Sequence, residues 1–318
     1  MAETKKKTAL DVAKEKVTEL VLKELENGTA IWTCPWVMQS AHHGFRGKAY
    51  TGINRFITAM MQHLMGYEST AWLTWTKLLE LQKTHPEIKL RKGSKAVEIV
   101  YWIEKEIKDK DGNVILDEDG IPKTRRKPKF FKVWNADCFE NLIADEFERD
   151  EILPDATLTS LEEKKERLLA SYEGHPPVMH DGLGHAYYLI TDDSIHLPLW
   201  KDFTDEAHAY STLCHELVHS TGAGRRLGRK IDNLFGNEDY SYEELVAEIG
   251  ASILSAEAGF LEQTARNSAA YLKGWASALT DNKNWFWDAF SDARKAVDMI
   301  LGRSYGKNAA ETEERRSA

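Results

Sequence analysis

His215, Glu216 and His219 stand in the order H-E-x-x-H, a spacing that serves one kind of chemistry. Residues four apart on an α-helix share a face one turn from each other, so two such imidazoles can aim a ring nitrogen at one zinc ion about 2.1 Å away. Zinc makes a bound water acidic near neutral pH, and Glu216, beside the first ligand, is placed to take the proton as that water attacks a carbonyl. A hydrolytic zinc keeps one position open for water and needs a third protein ligand. Glu244 and Glu248 in SYEELVAEIGASIL lie four apart on one helical face. Glu244 is expected to be the third ligand, and Glu248 to orient a ligand imidazole. An alternative stays open, because Ser241-Tyr242-Glu243-Glu244 fits a capping box in which Glu244 turns back to the helix start. Glu243, about 100° away around the helix, is the poorer ligand. Asp192, Asp193, His196 and His208 read as turn or surface residues. Arg225, Arg226, Arg229 and Lys230 read as a solvated loop, with an anion-facing rim as the alternative.

These side chains need elements to hold them. Tyr210, Leu213, Cys214, Leu217 and Val218 recur at helical spacing, predicting a helix over 207–220 that stops at Thr221-Gly222. A following helix from Ser241 has Leu245, Ile249 and Ile253 as its apolar seam. Upstream lie a predicted helix over 161–172 and extended pieces at 186–190 and 194–197 around an Asp192-Asp193 turn. Everything after Asp205 reads as helix except a Gly- and Arg-rich loop over 221–240. In the first half, helices are predicted over 8–27, ended by Gly28, over 54–65 and over 72–82. Strands follow at 97–107 and 130–135, around an excursion over 108–129 whose DKDGNV and DEDGIP favour tight turns in solvent. The acidic, proline-ended stretch 145–154 suits a linker. The expected fold class is α+β in two domains: a mixed α/β domain over 1–145 and a mainly helical domain with a small sheet over 146–318.

Bulk properties agree. A chain of 318 residues, 42% hydrophobic and 29% charged, suits two globular cores and excludes general disorder. No stretch is apolar enough for a membrane helix or a secretory leader, so a cytoplasmic protein without a membrane partner is expected. Cys34, Cys138 and Cys214 are far apart and odd in number, against a disulfide framework or a thiolate metal cluster; Cys214 reads as a buried apolar residue. The net charge of −9 divides unevenly. Residues 1–140 hold 24 Lys and Arg against 19 Asp and Glu, leaving 18 against 32 for the remainder, as when a basic binding module is joined to an acidic domain.

That first part also holds six of the ten tryptophans, Trp32, Trp36, Trp72, Trp75, Trp102 and Trp134, interleaved with Arg46, Lys48, Arg55, Arg91, Lys92 and Lys95. Aromatic rings beside a cationic track hold single strands by stacking at about 1–3 kcal/mol per base. On physics alone a tryptophan core is the slightly better reading. The segments TAIWTCPW (29–36), GKAYTGINRFIT (47–58), AWLTWTKLLEL (71–81), LRKGSKAVEIVYW (90–102) and FKVWNADCFENL (131–142) resemble the N-terminal domain of the ArdC family of plasmid antirestriction proteins. DDSIHLPLWKDF, YSTLCHELVHSTGAGRRLGR, FGNEDYSYEELVAEIGASIL and YLKGWASAL carry the resemblance through the second half, in order, over residues 8–300.

The resemblance implies a single-stranded-DNA-binding domain, then a zincin-like metallopeptidase domain related in plan to SprT and Spartan proteases, with one zinc per chain. It also implies protection of conjugating plasmid DNA from host restriction enzymes. Restriction-modification proteins or other DNA-bound proteins would be the substrates. Trp32, Trp36, Tyr50, Asn54, Arg55, Lys92 and Gly93 carry the N-terminal signature; all of these but Gly93, with Trp75, Arg91 and Lys95, are the candidates for DNA contact. A glutamate as third ligand departs from Spartan's third histidine. Two other readings stay open: a DNA-binding protein that acts by occlusion around a structural or vestigial zinc site, and a general DNA-associated protease of the Spartan type.

Overall fold

Val17, Val21 and Leu25 recur every four residues and are 0–5% exposed, forming the buried seam of α1 (Ala9–Glu26), which ends at Gly28 in left-handed backbone, φ 86°. The computed structural model describes residues 8–29, 43–44, 50, 52–110, 112–117, 120–142, 160–231, 238–259 and 269–303. Its packing divides into two units, residues 1–13 with 41–150 and residues 14–40 with 151–318. Most of α1 therefore belongs with the C-terminal elements: Lys14 pairs with Asp288, and Thr18 Oγ1 donates to the Lys283 carbonyl at 2.6 Å.

In the first unit, β1 (His43–Gly44) runs parallel to β2 (Ala71–Thr74), and α2 (Gly52–Met65) buries Phe56, Ile57, Ala59 and Met60. A helix from Trp72 was expected; instead α3 (Trp75–Leu81) begins three residues later, capped by Thr74 Oγ1, which accepts from the Lys77 amide. Ala71, Trp72 and Leu73 are 0–1% exposed and pair into a sheet, and a run buried on both sides is satisfied by strand as well as by helix. The short β3 (Lys89–Leu90) pairs with β6 (Phe139–Glu140).

The long ribbon of this unit is β4 (Val97–Glu106) against β5 (Thr124–Asn135), in continuous antiparallel register from Val97–Val133 to Glu106–Thr124. The sheet order is β1-β2-β5-β4, which makes β4 an edge. β5 starts six residues earlier than its apolar pattern suggested, because its first half is polar on both faces. The expected turns form where the Asp109 carboxylate accepts from the Asn113 amide at 2.9 Å and that of Asp117 from the Ile121 amide at 2.8 Å.

The second unit opens with α4 (Leu161–Ser171), started by a capping box between Ser160 and Glu163. A three-stranded sheet follows, ordered β7-β9-β8, from β7 (Val178–His180), β8 (Tyr187–Leu189) and β9 (Ser194–Leu197). β7 was not anticipated, being too short to show alternation. The helices α5 (Glu206–Thr221), α6 (Glu238–Glu257), α7 (Ala269–Asp281) and α8 (Trp285–Ile300) complete it, α8 burying Phe286, Trp287, Phe290 and Val297. Where α5 meets α6, a Cβ on Gly250 would come within 2.7 Å of Val218 Cγ2, so the glycine lets the two helices approach. The expected linker at 145–154 lies outside the described residues. Among those described, no helix is long and apolar enough to cross a membrane.

Candidate metal centre

Asp205 caps α5 by accepting from the His208 amide at 2.8 Å, and the helix carries His215 and His219 one turn apart on the side facing α6. Their rings stand edge to face with centroids 4.6 Å apart, bringing the two Nε2 atoms to 3.0 Å from each other. Glu244, on α6, closes the triangle: its Oε1 is 3.3 Å from His219 Nε2 and its Oε2 3.6 Å from His215 Nε2. Ligands about 2.1 Å from a tetrahedral ion are separated by about 3.4 Å, and these separations lie on either side of that value. The three residues thus fit a divalent ion, and among the described residues they are the one group of histidines, cysteines and acids that converges in this way. The capping alternative for Glu244 is overturned: α6 begins at Glu238, three residues before Ser241, so Ser241 lies inside the helix.

The outer nitrogen of each imidazole also faces a carboxylate. His215 Nδ1 lies 3.8 Å from Glu248 Oε1, within ion-pair range and beyond a hydrogen bond. His219 Nδ1 lies 3.2 Å from Glu243 Oε1. Glu243 was discounted as a ligand because it is turned away from Glu244, and that same turn sets it behind His219. Arg229 grips Glu243 with both ends of its guanidinium, Nε to Oε2 at 2.8 Å and Nη2 to Oε1 at 2.7 Å, and also donates to the Val218 carbonyl and Thr221 Oγ1.

The solvated-loop expectation therefore fails for two of the arginines. Arg229 and Arg226 side chains are each 8% exposed, and Arg226 clamps both oxygens of Asp193 while donating to the Ser220 and Gly174 carbonyls. Arg225, 56% exposed and also paired with Asp193, fits the expectation. The signal was there in principle, since a helix end leaves carbonyls that need donors and α5 stops just before this arginine run. Asp193 is in its turn at φ 48°. His196 is engaged by Asp181 at 2.8 Å, and His208 by Asp205 at 2.7 Å.

Charge is arranged to keep the carboxylates ionised. Burial works to raise the Glu244 pKa, but hydrogen bonds from His215 and His219 outweigh it and hold the group well below the usual range. Glu243 is lowered in the same way, burial being outweighed by Arg229 and His219. Burial works to lower His219, yet Glu243, Glu244 and the Glu216 charge push it up to about 10. His215 moves upward too, Glu244 foremost overcoming burial. Glu216 is 6% exposed and adds to the negative field on both rings. Cys214 is fully buried and burial pushes its thiol up, away from nucleophilic use.

In the first unit, the candidates for DNA contact separate. Trp32 and Trp36 lie outside the described residues. Tyr50 is 8% exposed, its phenol raised by burial and by Tyr101. Asn54 is committed to the framework: its amide donates to the Val100 carbonyl at 2.7 Å and accepts from the Val100 amide at 2.9 Å, closing the outer edge of β4. Arg55 is half-buried on α2. Trp75 is 50% exposed and tilts against Trp134 at 6.1 Å, whereas Trp72 is core. Arg91, Lys92 and Lys95 are exposed, Arg91 donating to the Asp137 carbonyl at 2.9 Å. Tyr101 and Trp102 are exposed on β4 at 48% and 49%; neither was among the candidates for DNA contact, although Trp102 belongs to the interleaved tryptophans.

With this geometry in view, comparison with solved proteins is decisive. The chain is similar to the antirestriction protein ArdC of plasmid R388 in its metal-free crystal structure, at 30% identity and a TM-score of 0.66, over 94% of this chain and 98% of that one. The chain belongs to the ArdC antirestriction family. The Mn(II)-bound structure of R388 ArdC matches at 29% identity with the same TM-score, over 92% and 98% of the two chains. The family model for the N-terminal domain of anti-restriction factor ArdC matches residues 11–135, and that for a zincin-like metallopeptidase matches residues 164–292, which contain the His215, His219 and Glu244 triangle. Among curated relatives, an Escherichia coli DNA primase TraC is 32% identical over 302 residues, 90% of this chain. The chain spans only 27% of that protein's length, about a quarter. An uncharacterized protein of Sinorhizobium fredii, y4eC, is 25% identical over 90% of both chains.

Proposed function

We propose that this ArdC-family chain binds single-stranded DNA through its first domain, residues 1–145, and carries a zinc metallopeptidase site in its second, residues 146–318. Acting in the cytoplasm, it would protect incoming conjugative DNA from host restriction. His215, His219 and Glu244 are the ion's ligands, Glu216 is the general base, and Glu248 and Glu243 orient the imidazoles from behind. The observation that carries the hydrolytic reading is the convergence of two Nε2 atoms and one carboxylate at 3.0–3.6 Å. When bound, the ion supplies Lewis acidity to a water and to the scissile carbonyl. Glu216, 6% exposed and next to His215 in the chain, would accept the proton of that water. Zinc is preferred to manganese because imidazole and carboxylate donors follow the usual affinity order of divalent metals. R388 ArdC has been solved without metal as well as with Mn(II), so in that protein the fold stands without the ion. Carried over here, this favours an exchangeable hydrolytic metal over a structural one.

The DNA-binding reading is supported by the exposed Trp75, Arg91, Lys92 and Lys95 and by the family's N-terminal domain. The proteins at risk of cleavage would be host restriction-modification proteins or others bound to the same DNA. Elemental analysis is expected to find one zinc per chain in the purified protein and none in His215→Ala. Glu216→Ala should keep the metal and lose all cleavage of DNA-bound protein. If restriction protection during conjugation is unchanged in Glu216→Ala, the protein protects by occlusion and the hydrolytic reading of its role fails.

A further inference from the structure

The two faces of the β4–β5 ribbon differ in charge in a way that the fold itself does not require. Residues directly opposite in an antiparallel pair put their side chains on the same face. On one face the register sets acid against base, with Glu98 opposite Lys132. On the other it sets Tyr101 opposite Lys129, Ile103 opposite Lys127 and Lys105 opposite Arg125. All three acids of β4, Glu98, Glu104 and Glu106, fall on the first face. The second carries four cations and, along the paired segment, no acid. Among the described residues, no carboxylate lies within salt-bridge range of Lys105, Arg125, Lys127 or Lys129. Like charges set directly opposite destabilise a sheet, so this face is at its most favourable against a polyanion.

We propose that this face, carrying Tyr101, Lys105, Arg125, Lys127 and Lys129, is the track along which the first unit holds the sugar–phosphate backbone of a single nucleic-acid strand. The proposal rests on the DNA-binding reading above and names its surface. Successive cations on one strand face are two residues, or about 6.8 Å, apart, comparable with successive phosphates of an extended strand. Tyr101 is 48% exposed and stands edge-on to Phe131 at 5.5 Å, so its ring is braced and offers a face to a base; Lys129 lies over the same Phe131 ring at 5.0 Å. Nearer β2 the same face is core, with Val97, Ile99 and Val133 at 0–6% exposure, so the track begins where the apolar core ends.

The test uses the full-length protein and a fluorescent oligothymidylate, titrated at several salt concentrations. Replacing Arg125, Lys127 and Lys129 together by Gln is expected to weaken binding at least tenfold at low salt. It should also flatten the plot of log affinity against log salt by about 2, since each phosphate that is no longer neutralised removes about 0.7 from the slope. Lys132→Gln, on the opposite face, should leave both quantities unchanged, and Tyr101→Ala should weaken binding while Tyr101→Phe does not. Thermal melts of each variant identify any that fail to fold, in which case the Tyr101 pair decides. If the wild-type protein binds and the triple variant binds with equal affinity and slope, the track is elsewhere and DNA binding itself stands. If the wild-type protein does not bind, the DNA-binding reading falls and takes the track with it. If polyglutamate displaces the oligonucleotide as well as unlabelled oligothymidylate does, the face is a general acidic-partner surface and the proposal is overturned.

Discussion

At the scale of single residues, the candidate centre is two imidazoles, of which His219 has its outer nitrogen held by a carboxylate. Glu243 holds His219 and is itself held by Arg229. Partners of this kind fix tautomer and ring orientation, and their loss lowers metal affinity about 10–100-fold. Glu243→Ala and Arg229→Ala should each do so in a chelator competition, while Arg225→Ala, at the exposed end of the same run, should not. The pH dependence follows from His219, raised from 6.5 to about 10 in the metal-free protein. A raised folded value means that this residue's contribution to stability is complete below pH 6.5 and is lost as pH rises through about 10. Thermal melts in chelator should therefore decline from neutral to alkaline pH, and metal-loaded protein should resist that decline. Because binding must displace the His219 proton, zinc affinity should rise by about tenfold per pH unit through neutrality. Calorimetry in buffers of different ionisation enthalpy would count that proton, and a count of zero would refute the ordering.

At the scale of elements, the centre depends on how closely α5 and α6 approach. His215 and His219 come from one helix and Glu244 from the next, so the triangle exists only at the spacing the interface allows. Gly250 and Val218 set that spacing. A methyl group on Gly250 would come 2.7 Å from Val218 Cγ2, and overpacking of this kind costs about 1–3 kcal/mol. Gly250→Ala is expected to lower the melting temperature and to weaken metal binding, because Glu244 retreats from the imidazoles. Gly250→Ala with Val218→Ala should restore part of both, and failure of that rescue would show that the approach of the helices is not what limits the site. The H-E-x-x-H spacing was legible because it lies within one helix. The distance from that helix to its neighbour was not, since it depends on side-chain volumes from segments about thirty residues apart.

At the scale of the molecule, the order along the chain and the grouping in space part company at α1. It leads the sequence, and the family match for the N-terminal domain begins within it, yet its residues from Lys14 on pack with the C-terminal unit. Val17, Val21 and Leu25 are buried there, each worth about 1.5–3 kcal/mol. Removing residues 1–26 is therefore expected to lower the melting temperature of the unit that contains α8 by several degrees. Differential scanning calorimetry would show it, with the transition of the other unit shifted less.

What the sequence determined by itself was local. The helix carrying His215, Glu216 and His219, the turns of the β4–β5 excursion and the apolar seam of α1 are written in spacings of two to four residues, and a short stretch of backbone converts such spacings directly into a face. The choice between strand and helix at Ala71–Leu73, the buried arginines behind His219 and the spatial home of α1 were decided by tertiary structure. Each turns on what a residue meets from a distant segment. Burial, ion pairing and helix approach arise only when those segments are brought together.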